Sequence, residues 1–208
     1  MPKNTISGYD VVEKLLDSIG DADVMVSMTT MSILIVETSL LFAIKYGTIE
    51  VVDLLVKRGA DVNREPKFTL KQTPLQKAAE LGDLEMVKYL LDHGADVNGP
   101  AAMASGATAL QFAAISGNCN VAAELLDRGA RLDTPPSRAH GRWPLEGAAE
   151  HGRLDMIKFL FDYSLSGFPE KQCQRAMKLA EHNGHFVCRN LIRELMSQCI
   201  EPADPAGW

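Results

Sequence analysis

The chain has 208 residues, of which 46% are apolar, so it is long enough to bury one substantial core or two small ones. Its 27 acidic residues outnumber the 21 basic ones, which gives a net charge of −6, and no cluster of Lys and Arg is present that could follow a phosphate backbone. Composition therefore predicts a folded protein and argues against a nucleic-acid partner.

The N-terminal part of the chain contains its longest apolar stretch, VMVSMTTMSILIV at residues 24–36. Hydroxyl residues interrupt this stretch, and it is too short to span a bilayer. The opening segment MPKNTISGYD lacks the apolar run of a signal peptide, and the four cysteines show no C-x-x-C pair. We therefore expect free thiols, no membrane insertion and an intracellular location, with the cytoplasm favoured over the nucleus.

Four helix-like segments then recur at a fixed spacing. They are TSLLFAIKYG, TPLQKAAELG, TALQFAAISG and WPLEGAAEHG, and they begin 35 residues apart, at Thr38, Thr73, Thr108 and Trp143. A leading Thr can cap a helix, and a closing glycine suits the left-handed residue that ends one. Each segment is followed by a second stretch with helical periodicity, such as DLEMVKYLLDHG. The unit is predicted to be a pair of short antiparallel helices.

The second of these units, TPLQKAAELGDLEMVKYLLDHGADVN, resembles the ankyrin repeat almost residue for residue. The match includes T-P-L, the Ala78-Ala79 pair, the glycine between the helices and G-A-D-V-N. An ankyrin unit has about 33 residues, and the excess in this chain lies in the connectors REPKFTLKQ, GPAAMASGA and TPPSRAHGR, which are predicted to be lengthened β-turn fingers. The period, with GATALQFAAISGN and PLEGAAEHGRLDMI, is also similar to the C-terminal part of long ankyrin arrays of filamentous fungi.

The resemblance implies an all-α ankyrin solenoid of stacked antiparallel helix pairs with finger loops, since one pair cannot bury its own apolar face. A single domain is predicted over residues 1–199, followed by a disordered tail at 200–208. Because YDVVEKLLDSI at residues 9–19 aligns with a second helix, the chain is expected to begin inside a unit. The predicted units are a degenerate N-terminal unit at 1–37, repeats at 38–72, 73–107, 108–142 and 143–171, and a C-terminal cap at 172–199.

The resemblance also implies a function, namely a non-enzymatic module or scaffold that binds another protein through its concave groove and finger loops. No cofactor is implied, and we expect a monomer. In this family, the positions before the first helix and before its closing glycine vary with the partner. Carried over, the predicted partner-binding residues are Tyr46, Leu81, Ile115, Arg142, Trp143, Glu150, His151 and His182.

A cluster in the fourth repeat could instead perform chemistry, because Glu146, Glu150 and His151 lie on about two turns of one predicted helix. Glu146, however, stands in the register of Gln76 and Gln111. Neighbours such as Glu150 and His151 also point in different directions on a helix. We therefore expect these side chains to be solvated or partner-facing and not catalytic. Two alternatives stay open: catalysis or small-molecule binding acquired in the groove near repeats 4 and 5, and a terminal capping segment of a longer array.

A second cluster, at the C-terminal end, has the spacing of metal ligands. His182, His185 and Cys188 lie at i, i+3 and i+6, and a structural zinc site would need a fourth ligand such as Cys173 or His151. The repeat register already accounts for His185, which starts the second helix in the motif NGHF. We therefore predict no metal site.

Trp143 is the most unusual choice in the repeat, because it replaces the Thr that begins the other three segments. Trp offers no acceptor to the first turn, and the lost cap is worth about 1 kcal/mol. Two interpretations stay open. Trp143 either packs within an unusual finger, against Pro135, Pro136 or Pro144, or is an anchor for a partner beside Arg138 and Arg142.

Overall fold

The structure is a computed structural model that describes residues 25–30, 33–66, 72–103, 106–164 and 166–200. The predicted helix at residues 9–19 and the tail from residue 201 onward lie outside the described residues. Within the described residues, ten helices follow one two-stranded ribbon. No helix in these ranges is long and apolar enough to cross a membrane.

The ribbon consists of strands β1 (Met25–Thr30) and β2 (Ile33–Thr38). The strands are antiparallel, and their register pairs Met25 with Thr38 and Thr30 with Ile33. The sequence analysis placed this segment in a degenerate repeat unit and did not predict strands. Its content of Val, Ile and Thr explains the outcome, because β-branched residues favour the extended chain.

The helices form five consecutive antiparallel pairs, as the repeat predicts. The first helices of neighbouring pairs pack on one another in one layer, and the second helices of the last four pairs do the same in a second layer. The predicted ankyrin solenoid is thereby confirmed. The helices are α1 (Ser39–Tyr46), α2 (Ile49–Lys57), α3 (Pro74–Leu81), α4 (Leu84–Asp92), α5 (Ala109–Ser116), α6 (Cys119–Asp127), α7 (Pro144–Glu150), α8 (Leu154–Tyr163), α9 (Glu170–His182) and α10 (Phe186–Ile200).

The first helices begin at reciprocal caps. The Thr73 hydroxyl accepts the Gln76 backbone N–H at 3.2 Å, and Gln76 Oε1 accepts the Thr73 backbone N–H at 3.0 Å. Thr108 and Gln111 repeat the arrangement in the next unit. Such a box satisfies two amides that a helix start otherwise leaves unpaired. Helix α3 ends at Gly82, whose φ of 75° lies in the left-handed region that glycine tolerates best.

The core runs continuously between the two layers. Alanines of the first helices, such as Ala78, Ala113 and Ala148, are completely buried. Larger side chains from the second helices, such as Leu90 and Met156, fill the space against them. The small residues let neighbouring first helices approach closely, so each pair buries the apolar face of the next.

Asparagine side chains join successive repeats. Asn98 Nδ2 donates to the Gly129 carbonyl at 3.0 Å, and Asn98 Oδ1 accepts the Arg131 backbone N–H at 3.0 Å. Asn63 makes the same two bonds one repeat earlier, to the turn that starts at Gly94. The last residue of each G-A-D-V-N motif therefore satisfies turn backbone of the following unit.

The last helix pair departs from the pattern at its start. Helix α9 has 13 residues, whereas α3 and α5 have eight. The additional helical turns occupy a place that a finger fills in the earlier repeats. The Pro169 carbonyl accepts the backbone N–H groups of Gln172 at 2.9 Å and Cys173 at 3.1 Å, so it is part of the helix start.

Candidate functional site

Two of the apolar residues predicted to bind a partner, Tyr46 and Leu81, are exposed at the ends of first helices. The exposed fraction is 59% for Tyr46 and 47% for Leu81, which occupy the same register in α1 and α3. The Tyr46 ring packs on Phe42, with 4.9 Å between the ring centroids, and Lys45 Nζ lies 4.8 Å from the Tyr46 ring centroid. These contacts hold the ring in place while leaving most of it accessible.

Ile115 is only partly available to a partner. It is half-buried because it leans over Gly147 of the next helix, where an added Cβ would lie 2.6 Å from Ile115 Cγ1. The residues equivalent to Gly147 in the preceding repeats are Lys77 and Phe112, which have side chains. Gly147 therefore leaves a depression in the surface of the first helices, and the Ile115 side chain fills it.

Arg142 and Glu150 bind each other. Arg142 Nε lies 2.6 Å from Glu150 Oε2, and a second nitrogen of the guanidinium lies 3.1 Å from Glu150 Oε1. The paired carboxylate raises the pKa of Arg142. The two-point contact fixes both side chains in one geometry, between the residue before Trp143 and the last residue of α7.

The two predicted histidines remain accessible. His151 is exposed just after α7, with its Nδ1 at 3.0 Å from the Gly147 carbonyl. His182 is exposed at the end of α9.

Glu146 is completely buried, which corrects the expectation that it is solvated or partner-facing. Its Oε2 accepts the Trp143 backbone N–H at 3.4 Å. Its Oε1 forms an ion pair with Arg175, with 3.1 Å between Oε1 and Arg175 Nε. The Arg175 N–H does not point at this oxygen, so Oε1 accepts no hydrogen bond from the described residues. Burial raises the pKa of Glu146, and the charge of Arg175 and the bond from Trp143 only partly offset this effect.

The equivalent residues of the earlier repeats are glutamines with every polar atom satisfied. Gln76 Nε2 donates to the carbonyls of Gly99 at 3.1 Å and Pro100 at 2.9 Å, in the finger that leads to the next helix pair. Gln111 Nε2 likewise donates to the Thr134 carbonyl at 3.0 Å. An ionised glutamate has no proton to donate at this register, so Glu146 cannot bond a finger carbonyl in the same way.

A cavity of about 380 Å³ lies between α7 and α9, beside Glu146. Gln172 also contributes an amide nitrogen that is buried and has no hydrogen-bond partner among the described residues. The walls are mainly apolar, and Trp143 is half-buried in one of them. Residues that line the cavity include Leu132, Trp143, Glu146, Phe168, Gln172 and Arg175.

Comparison with known protein families shows which family these stacked helix pairs belong to. The family model described as ankyrin repeats (3 copies) matches residues 5–101, 40–136 and 99–172. The chain belongs to the ankyrin repeat family. A search of curated proteins found no match. Ankyrin repeats are generally protein interaction modules, and the family is typically non-enzymatic.

The ankyrin array does not bring the predicted metal-binding candidates together. His185 packs against the turn at Gly152, where an added Cβ would lie 2.8 Å from His185 Nδ1, and Cys188 is buried. His182 is exposed. In the part of the chain that the structure describes, no group of three or more His, Cys, Asp or Glu side chains could hold a metal ion.

Sequence reasoning found the exposed positions of the ankyrin array but missed the cavity. The repeat register gave Tyr46 and Leu81 directly. Gln172 carried no signal, since a polar residue near a helix start is ordinary. The sequence signal for the cavity was Glu146 at a position that is glutamine in the two preceding repeats. This difference indicates a cavity only when the following finger is known to be helical.

Proposed function

We propose that this ankyrin array is a non-enzymatic scaffold that binds another protein through the groove formed by its first helices and fingers. The observation that supports this most directly is the exposure of Tyr46 and Leu81 at the ends of adjacent first helices. Large exposed side chains in one register are typical of interaction surfaces, and aromatic residues often supply most of the binding energy.

The surroundings of these residues also suit protein binding. Arg142 and Glu150 hold each other in place, and the accessible His151 occupies in the fourth repeat the register of Tyr46 and Leu81, so polar side chains continue the row of exposed positions. A surface that is already ordered loses little conformational entropy on binding. We therefore expect recognition with little backbone change.

Catalysis is not the function that we propose for the groove. The alternative from the sequence used His151, Glu150, His182 and Glu146 together. Glu150 is engaged by Arg142, and both histidines are exposed on different elements, whereas Glu146 is buried in the cavity. General acid–base chemistry needs such groups to converge on one reacting atom.

We also propose that the last helix pair is the terminal cap of the array. The outer surface of α9 and α10 carries exposed charged side chains, as a solvent-facing end requires. Cys119 and Cys188 take part in no disulfide, which favours a reducing compartment and supports our proposal of an intracellular protein. A monomer is proposed on the same family pattern. The exposed charges of this outer surface are Lys178, Glu181, Arg193 and Glu194.

Affinity capture tests the proposed function. The full chain and a Tyr46→Ser/Leu81→Ser variant are immobilised, and the proteins retained from an extract of the source cells are compared. A matched control is Phe186→Ser/Val187→Ser, because these side chains are 52% and 66% exposed but lie at the start of a second helix. Wild type and control should retain the same specific protein and the groove variant should lose it. Equal retention by all three would contradict the proposal.

A further inference from the structure

The cavity beside α7 combines features of a binding site that the proposed groove does not use. It has a volume of about 380 Å³ and lies between the fourth repeat and the cap. Glu146 forms part of its wall and is 0% exposed, with Oε1 accepting no hydrogen bond from the described residues. Gln172 Nε2, on the opposite helix, is also buried without an acceptor among them. Unpaired buried polar atoms destabilise a fold, so a ligand that pairs them gains binding energy.

The unpaired oxygen has a cause in the sequence. In the two preceding repeats the residue at this register is a glutamine that donates to a finger carbonyl. The carbonyl at the corresponding spacing from Glu146 is that of Pro169, which already accepts two N–H groups of α9. The extra helical turns of α9 therefore remove the acceptor, and Glu146 replaces the donor by a second acceptor. A site is created that lacks a hydrogen-bond donor.

The charge on Glu146 determines which donor fits. Arg175 Nε lies 3.1 Å from Oε1, but the Arg175 side chain is 62% exposed and makes no hydrogen bond to that oxygen. Arg175 reaches Glu146 from solvent and does not hydrogen-bond Oε1, so an incoming group that donates directly to this oxygen can displace Arg175. That group must itself be positive, because a buried carboxylate left without a counter-charge is strongly unfavourable.

The walls of the cavity suit the remainder of a basic side chain. Trp143 and Phe168 offer aromatic surface to an aliphatic stem, and the indole can also attract a cation. Gln172 Nε2 requires an acceptor, which a peptide carbonyl supplies. At the rim, the Asp133 carboxylate is paired with Arg131 at 3.0 Å, and Lys171 carries a positive charge.

We propose that this cavity binds a lysine or arginine side chain of the protein partner. The cation replaces Arg175 on Glu146 Oε1, the stem lies against Trp143, and a backbone carbonyl of the partner accepts from Gln172 Nε2. The net charge of −6 attracts a basic partner over longer range. The inference rests on the proposed function, since it names the chemistry of the protein that the groove binds.

Short capped peptides test the cavity without the partner. Trp208→Phe leaves Trp143 as the single tryptophan, because the chain has two, so its fluorescence and its indole N–H resonance report on the cavity. The probes are acetyl-Gly-Lys-Gly-amide, its arginine counterpart and its norleucine counterpart, added up to about 20 mM. Both basic peptides should bind saturably in the millimolar range, and norleucine should bind at least about tenfold more weakly because it lacks the charge.

Two variants assign the binding to Glu146. Glu146→Gln restores the residue of the other repeats and removes the charge, so the variant should fold and lose the basic peptides. Glu85→Gln makes the same chemical change at an exposed site on α4 and should bind as wild type does. Equal binding of norleucine, no binding of either basic peptide, or unchanged binding by Glu146→Gln would overturn the inference.

Two further comparisons separate the inference from its foundation. n-Butylamine carries the cation and stem of lysine without a peptide carbonyl, so it should bind more weakly than the lysine peptide. Equal binding would overturn the assignment to a partner side chain. Capture of the partner is measured separately with the Tyr46/Leu81 variant: if capture depends on those residues but the peptides do not bind, the cavity inference fails alone. If the peptides bind but capture is unaffected by that variant, the groove proposal fails.

Discussion

Trp143 and Glu146 keep one half of a capping box. The Trp143 backbone N–H donates to Glu146 Oε2 over 3.4 Å, whereas the indole side chain makes no return bond to the first turn of α7. In the corresponding box of α3, Thr73 and Gln76 exchange both bonds. The fourth repeat therefore gives up a cap and buries a carboxylate, and both changes occur at the wall of one cavity.

Replacing Glu146 by glutamine should stabilise the protein. The substitution keeps an acceptor for the Trp143 N–H and replaces a buried charge, whose second oxygen accepts no hydrogen bond from the described residues, by a neutral amide. A neutral amide costs less to bury than a charge, even without the finger acceptor that the earlier glutamines have. We expect the free energy of unfolding in urea at pH 7 to rise by about 1–2 kcal/mol. A lower value for Glu146→Gln would mean that the ion pair with Arg175 is stabilising, contrary to this account.

The reverse change in the third repeat should be damaging. Gln111→Glu would place a carboxylate against the Thr134 carbonyl, which now accepts from Gln111 Nε2 at 3.0 Å. Loss of the hydrogen bond and burial of a charge should lower the free energy of unfolding by about 2–4 kcal/mol, measured in the same urea titration. If Gln111→Glu lowered the free energy of unfolding no more than an ordinary surface substitution does, a buried carboxylate at this register would not be destabilising, contrary to our interpretation of Glu146.

The effect of Glu146 on stability should depend on pH. Burial raises the pKa of this carboxyl in the folded chain above its ordinary value of 4.5. The folded protein therefore holds the proton more tightly than the unfolded chain does, and the resulting stabilisation is lost as the pH rises through the folded pKa. The advantage of Glu146→Gln should be smallest below pH 4.5, where the folded and unfolded chains both hold the proton, and reach its full size above the raised pKa. An advantage that stayed constant from about pH 4 to 8 would show that the pKa is not shifted.

Gly147 should be required only while Ile115 covers it. In Gly147→Ala the new Cβ would lie 2.6 Å from Ile115 Cγ1, so Ile115 must move. We expect a loss of about 1–3 kcal/mol in the free energy of unfolding. In an Ile115→Ala background the same change should instead stabilise the helix by up to about 1 kcal/mol, because alanine is the better helix former. The four chains are compared by thermal and urea unfolding. Equal effects of Gly147→Ala in both backgrounds would contradict the contact between Ile115 and Gly147.

The helix pairs were predictable because each repeat contains the residues that start and end its own helices. Thr73 and Gln76 specify a helix start, Gly82 specifies its end, and the same letters recur 35 residues later. Asn98 could likewise be assigned to a turn, although its bonds to the next repeat follow only from stacking. Short-range chemistry of this kind does not depend on the rest of the fold.

The cavity could not be predicted because it depends on an absence in a neighbouring unit. Glu146 occupies a glutamine register, and its sequence neighbours do not reveal that the next finger has become the start of α9. The ribbon at β1 and β2 was missed for another reason. Its residues favour strands locally, but the repeat pattern was extended across a segment where the repeat letters are absent.

The proposed function is tested most directly by the affinity for the captured partner. Isothermal titration with the purified partner compares wild type, Tyr46→Ser/Leu81→Ser and the control Phe186→Ser/Val187→Ser, after equal melting of the three chains is established. Removing two exposed anchors from the groove should weaken binding by at least about 30-fold, which corresponds to roughly 2 kcal/mol, and the control should bind within about twofold of wild type. Equal affinities for all three would contradict the assignment of this surface to partner binding.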